Sequence, residues 1–125
     1  MPLDVGLAAS FTHVVTVDDT AEALGSWDVP VLGTPRVVAL AERATCAAVA
    51  GHLPADMTSV GTRVEGDHLL PSPVGARVTV EAVLEAIDGR KLRFGFRVSD
   101  AERAVATGEV HRVLVTRERF LTMHR

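Results

Sequence analysis

Residues 34–51 read TPRVVALAERATCAAVAG, and this stretch decides the fold. Thr34 is a good helix N-cap. Pro35 suits the first helical position, because its missing N–H would be unpaired there anyway. Gly51 is a natural stop. The spacing predicts one helix over 35–50, about 24 Å long at 1.5 Å per residue. On its wheel Arg36 and Arg43 share one side. Glu42 points about 100° away from Arg43, among Val38, Thr45, Cys46 and Val49. A carboxylate beside a packing face raises its pKa or takes a partner, which makes Glu42 a candidate for acid–base chemistry. The plainer alternative is a solvated glutamate paired with an arginine.

The flanking segments read as strands. Before the helix, residues 7–17 alternate, with Leu7, Ala9, Phe11, His13, Val15 and Val17 on one face. Residues 18–25 hold turn residues and a short helical stretch, and Trp27, Pro30 and Gly33 mark a loop. After the helix, Val60, Thr62, Val64, Gly66, His68 and Leu70 form one face of a strand, with Arg63, Glu65 and Asp67 opposite. Pro71, Pro73 and Gly75 make a turn. Val78, Val80, Ala82 and Leu84 alternate next, and Asp88–Gly89 is a hairpin signal. Leu92, Phe94, Phe96 and Val98 follow. A last strand covers 103–115, with a bulge expected at Gly108, and the tail from Arg117 adds a helical turn. The expected fold class is α+β, with an antiparallel sheet wrapped around one long helix. Such a sheet leaves edges open, and a second copy is a standard cover for an edge, so a homodimer is expected.

Composition narrows the function classes. The 125 residues, 47% apolar and 23% charged, suit one globular domain over 1–125. A net charge of −3 gives no case for nucleic-acid binding through bulk charge. The single cysteine, Cys46, makes neither an intrachain disulfide nor a metal site by itself, and a reducing cytoplasm is the default setting. No apolar run reaches the roughly 18 residues of a membrane span, and the N-terminus lacks a signal-peptide pattern. His13, His52, His111 and His124 show no metal-ligand spacing, so no metal is expected. No phosphate-cradling glycine loop is present.

His68 sits on the same strand face as Val64 and Leu70. A lone histidine there is commonly a hydrogen-bonded core residue. Here the partner helix carries Glu42 and begins at Thr34. A hydroxyl can attack or orient water, an imidazole can move a proton, and a carboxylate can orient the imidazole or act as base. Thr34 and Glu42 are about 12 Å apart along the helix, too far to bond each other in one chain. They share a site if His68 sits between them or if a partner chain supplies one of them. The helix N-terminus would favour a developing oxyanion.

The stretches GTPRVVALAERA, TSVGTRVEGDHLLPSPVGARVTVEAVL, DGRKLRFGFRVSD and ATGEVHRVLV resemble the hotdog-fold acyl-CoA thioesterases related to fluoroacetyl-CoA thioesterase. The resemblance runs over about 33–120 and keeps the spacing Thr–x7–Glu–x25–His as Thr34, Glu42 and His68. It implies that these three form the catalytic set, that Gly61 lies at the site, and that the protein acts as a dimer. Residues 18–33, with SWDVPVLG, lack the phenylalanine-bearing lid of the fluoroacetyl-specific enzyme, so fluoroacetate specificity is not implied. Arg36 replaces an apolar residue near the helix start and is a candidate substrate contact at the pocket mouth. Arg63, Arg90, Lys91 and Arg112 are candidate phosphate contacts.

The expected function is hydrolysis of a small acyl-CoA thioester to the free acid and CoA. No cofactor is expected beyond CoA carried as substrate. The expected assembly is a homodimer, with a tetramer as the larger alternative. Two rival readings remain open at this point. One is a non-catalytic module that binds acyl-CoA or another hydrophobic ligand. The other is a hydratase on the same fold, which would need an Asp/His pair. Asp67 and His68 are adjacent on a strand and point to opposite faces.

Overall fold

In the computed structural model, which describes residues 2–123, five antiparallel strands curve around one long helix. The elements in chain order are β1 (Ala8–Val14), a 3₁₀ turn (Val17–Asp19), α1 (Ala21–Leu24), α2 (Thr34–Val49), β2 (Met57–His68), β3 (Arg77–Asp88), β4 (Lys91–Asp100), β5 (Arg103–Thr116) and α3 (Arg117–Thr122). The sheet order is β1-β3-β4-β5-β2, so β1 and β2 are the edges.

The core forms where the apolar stripe of α2 meets the alternating face of the sheet. Val37, Leu40, Ala41, Ala44 and Ala48 pack against Val78, Val80, Leu84, Phe94 and Val98, all buried. The small residues of the stripe let the helix lie close to the sheet. The hairpin expected at Asp88–Gly89 forms there. Asp88 pairs with Lys91, and Gly89 takes φ +59° in the two-residue turn.

Two details differ from the sequence reading. Strict alternation put Val60 and Thr62 on the face of His68. Instead the pairing of β2 with β5 slips between Gly61 and Arg63, leaving Thr62 as an extra, unpaired residue. A bulge reverses the alternation. Before it, Ser59 is buried and Gly61 faces α2; after it, Val64 and His68 turn inward. The bulge expected at Gly108 is absent, since Gly108 pairs in register with both Gly66 and Phe96. The irregularity in β5 lies at Val105, where the partners of Val98 and Ser99 are Ala106 and Ala104.

Backbone bonds fix where α2 begins. Leu32 N donates to Ser72 O at 2.8 Å and Gly33 N to Asp19 O at 2.9 Å. Leu69 N donates to Val105 O at 2.7 Å. These bonds hold the loop before α2 beside the segment that leaves β2.

Candidate active site

Gly33, not Thr34, is the N-cap of α2. Thr34 is the first helical residue, and its hydroxyl caps nothing. Thr34 Oγ1 instead lies 2.8 Å from His68 Nδ1. The structure thus joins two of the three candidate residues across 34 positions of sequence. The helix start offers less to an oxyanion than its sequence suggested. Pro35 has no N–H, and the N–H groups of Arg36 and Val37 both donate to Gly33 O. The Thr34 N–H and the helix dipole are what remain for a developing negative charge.

His68 is half-buried, and its Nε2 is buried with no hydrogen-bond partner among the described residues. Burial pushes its pKa below the ordinary histidine value, with the Leu70 backbone opposing. The imidazole is therefore neutral near pH 7 and able to take a proton.

Two cavities open on this pair. One, about 350 Å³, is lined by Val37, Val38, Val64, Phe96 and Ala106 beside Thr34 and His68. The other, about 300 Å³, runs outward past Trp27, Val29, Leu69 and Pro71.

Glu42 lies elsewhere in the same chain. Its carboxylate rests over Gly61, at a spot that a side chain on residue 61 would fill. Arg112 holds it there. Arg112 Nη1 donates to Glu42 Oε2 at 3.1 Å, while Nε and Nη2 donate to Ser59 Oγ and Ser59 O at 2.8 and 2.9 Å. Glu42, Gly61, Ser59 and Arg112 form a second cluster on the helix-facing side of the sheet. Gly61 and His68 are seven residues apart on β2, roughly 23 Å of extended strand. Neither cavity at the Thr34–His68 pair is lined by Glu42.

Other expectations are corrected. Arg112 is buried inside the sheet and tied to Glu42 and Ser59, so it is not a surface phosphate contact. The signal that could have found it is its spacing from Val110, two residues away on the same strand face, since an arginine on an apolar face needs a buried partner. Arg36 Nε sits 3.1 Å from Asp19 Oδ1, a carboxylate that also accepts from the Thr16 backbone and lies 2.8 Å from His13 Nε2. Arg36 thus anchors the first turn of α2 to the turn after β1. Arg63 pairs with Glu65 on the outer face. His124 lies outside the described residues. Among the described residues, no three His, Cys, Asp or Glu side chains converge as a metal cage requires. No helix among them is long and apolar enough to cross a membrane.

The chain is similar to known thioesterases. Residues 15–118 match the family described as fluoroacetyl-CoA-specific thioesterase. A fluoroacetyl-CoA thioesterase of Streptantibioticus cattleyicolor is 31% identical over 90 residues, covering 72% of this chain and 65% of the relative. The match therefore spans just under two thirds of that relative's length. The solved fluoroacetyl-CoA thioesterase FlK superposes with a TM-score of 0.92 at 26% identity, over 100% of this chain and 97% of that one. A Thermus thermophilus protein described as a thioesterase superfamily member superposes with a TM-score of 0.89 at 26% identity, over 99% of this chain and 92% of that one. The five-stranded sheet around α2 is thus the hotdog fold of these thioesterases. With the family model spanning both the Thr34–His68 pair and the Glu42 cluster, the chain belongs to the fluoroacetyl-CoA-specific thioesterase family.

Proposed function

We propose that the protein is an acyl-CoA thioesterase that hydrolyses acyl-CoA to a carboxylate and free CoA. The observation that carries this reading is the 2.8 Å contact between Thr34 Oγ1 and a neutral His68 at the start of α2. A solved complex of a FlK variant contains fluoroacetate and CoA, which supports a CoA thioester as substrate. Thr34 Oγ1 attacks the thioester carbonyl and His68 takes its proton. The tetrahedral intermediate expels the CoA thiolate, which receives that proton. Water then attacks the acyl-threonine and releases the acid. The Thr34 N–H and the α2 dipole face the developing oxyanion.

In this reading Glu42 acts from a second copy of the chain. Strand β2 is an open edge carrying Gly61 and His68, and pairing two β2 edges antiparallel brings one chain's Glu42 cluster towards the other chain's Thr34–His68 pair. Glu42 then activates the water of the second step, with Arg112 fixing its orientation. The working unit is a homodimer, and a tetramer would be a pair of such dimers. A reducing cytoplasm suits the lone thiol of Cys46. The test is a panel of acyl-CoA thioesters with free-thiol detection. Thiol release lost in His68→Ala supports the reading. Tight acyl-CoA binding without turnover in the native protein overturns it in favour of a binding module.

A further inference from the structure

The two cavities at the Thr34–His68 pair differ in a way that bears on the acyl group. The one between α2 and the sheet is walled by Val37, Val38, Val64, Phe96 and Ala106. Glu65 and Asp67 of β2 also line it at its edge, but the Glu65 carboxylate is bonded to Arg63 at 2.8 Å and Asp67 is exposed. The Phe96 ring forms the back wall. Phe96 pairs with Gly108, and Gly108 with Gly66, so the ring lies across two glycines. A β-carbon on Gly66 would stand 3.1 Å from Phe96 Cζ, and one on Gly108 2.7 Å from Cε2. The missing side chains leave the ring the space it occupies. The second cavity leads out to solvent past Trp27, which is 73% exposed.

A thioester bound at the pair needs two exits. The acyl group must leave water, and the long CoA arm must reach it. We propose that the Phe96 cavity is an acyl pocket for apolar acyl groups of about six to eight carbons, and that the CoA arm leaves past Trp27. The size follows from volume. An apolar cavity of about 150 Å³ in another protein accepts benzene, so this one, about 350 Å³ and partly open at its mouth, has room for at least about six to eight carbons. The competing cavity lies at the C-terminal end of α2, where Cys46, Val49, Leu53, Thr58 and Ser59 line only about 120 Å³. That volume is smaller than the benzene-holding cavity and could not take a chain of about six to eight carbons.

The proposal rests on the thioesterase reading, and the experiment separates the two. Binding of S-alkyl-CoA thioethers, which cannot be hydrolysed, is measured by calorimetry for ethyl, butyl, hexyl, octyl and dodecyl chains. Affinity is expected to rise roughly fourfold per methylene up to six to eight carbons and to stop rising by dodecyl. The kcat/KM of the matching thioesters should follow the same profile. Val38→Phe, which fills the cavity from α2, should move the optimum to about two to four carbons, whereas Cys46→Phe should leave it in place. Trp27 is the one tryptophan of the chain, so CoA alone should change its emission. Affinity that is flat with chain length, or highest for ethyl, overturns the acyl pocket even if thioesters are hydrolysed. A shift of the optimum by Cys46→Phe and not by Val38→Phe also overturns it. Unchanged Trp27 emission on saturation with CoA overturns the exit path. Chain-dependent binding without hydrolysis of any thioester leaves the pocket standing and removes the thioesterase reading.

Discussion

Arg112 Nη1 donates to Glu42 Oε2 at 3.1 Å, joining the centre of β5 to the middle of α2 across 70 residues of chain. The guanidinium is 7% exposed, and its other two bonds go to Ser59. It is therefore both a packing element and the support of the carboxylate. Replacing it with methionine leaves Ser59 and Glu42 short of partners, at a cost of about 1–3 kcal/mol. Denaturant unfolding should show that loss. Glu42→Gln keeps the shape and a hydrogen-bonding oxygen, so its unfolding midpoint should stay close to the parent while kcat falls at least about 100-fold. Full turnover in folded Glu42→Gln would remove Glu42 from the chemistry.

Thr34→Ala separates capping from catalysis. Gly33 holds the cap position, so the stability change should be smaller than the roughly 1 kcal/mol of a lost threonine cap. The hydroxyl on His68 is lost all the same, and kcat should drop by about 10² or more while Thr34→Ser recovers much of it. A protein that loses stability but keeps its rate would make Thr34 a structural residue.

Gly61→Ala tests the place given to the Glu42 carboxylate. A methyl group at 61 occupies the position of Glu42 Oε2, and the side chain must swing away. A displacement of about 1 Å at a catalytic group costs about 10² in rate. The expected result is a large fall in kcat with circular dichroism unchanged. Parent-like kinetics would show that Glu42 has room to spare.

The acid limb of activity should report His68. Burial lowers its pKa, so the neutral form is the one the fold favours, and kcat/KM should rise with pH through a midpoint below 6.5. Stability shifts in the same sense. Above the unfolded pKa the stabilising contribution is fully present. It is lost as pH falls through the folded pKa, because the unfolded chain takes up the proton first. His68→Gln should flatten this part of the stability profile, and a rate profile with its midpoint above 6.5 would contradict the assignment.

Subunit mixing decides whether the site is shared. Glu42→Gln and His68→Ala are each expected to be inactive as homodimers. Exchanged at equal amounts, half of the dimers are mixed, and each mixed dimer holds one intact site if Glu42 acts across the interface. Activity should return to about a quarter of the parent's. No recovery, with mixing confirmed by mass spectrometry, would place the whole site within one chain.

The sequence by itself determined the frame. The stripe of Val37, Leu40, Ala41, Ala44 and Ala48 at helical spacing fixes α2, and the alternation in β3 and β4 around Asp88–Gly89 fixes the hairpin that packs on it. These are local periodicities, and any chain carrying them forms the same pieces. Thr34, Glu42 and His68 were legible as residue types at a spacing, because their chemistry is carried by the side chains themselves. What they touch was not. One extra residue at Thr62 reverses the parity of β2 and puts Ser59 and Gly61 on the face that also carries His68. No alternation of side chains announces such an insertion, since it satisfies pairing with β5 and not a pattern within β2. The sequence offered Thr34 both as a cap and as a hydroxyl of the site, and the fold puts Gly33 at the cap and His68 within 2.8 Å of that hydroxyl. Arg112 read as a surface charge until Glu42 and Ser59 were seen to enclose it. Both contacts span more than thirty residues, and only the register of the sheet against α2 brings such distant groups within bonding distance.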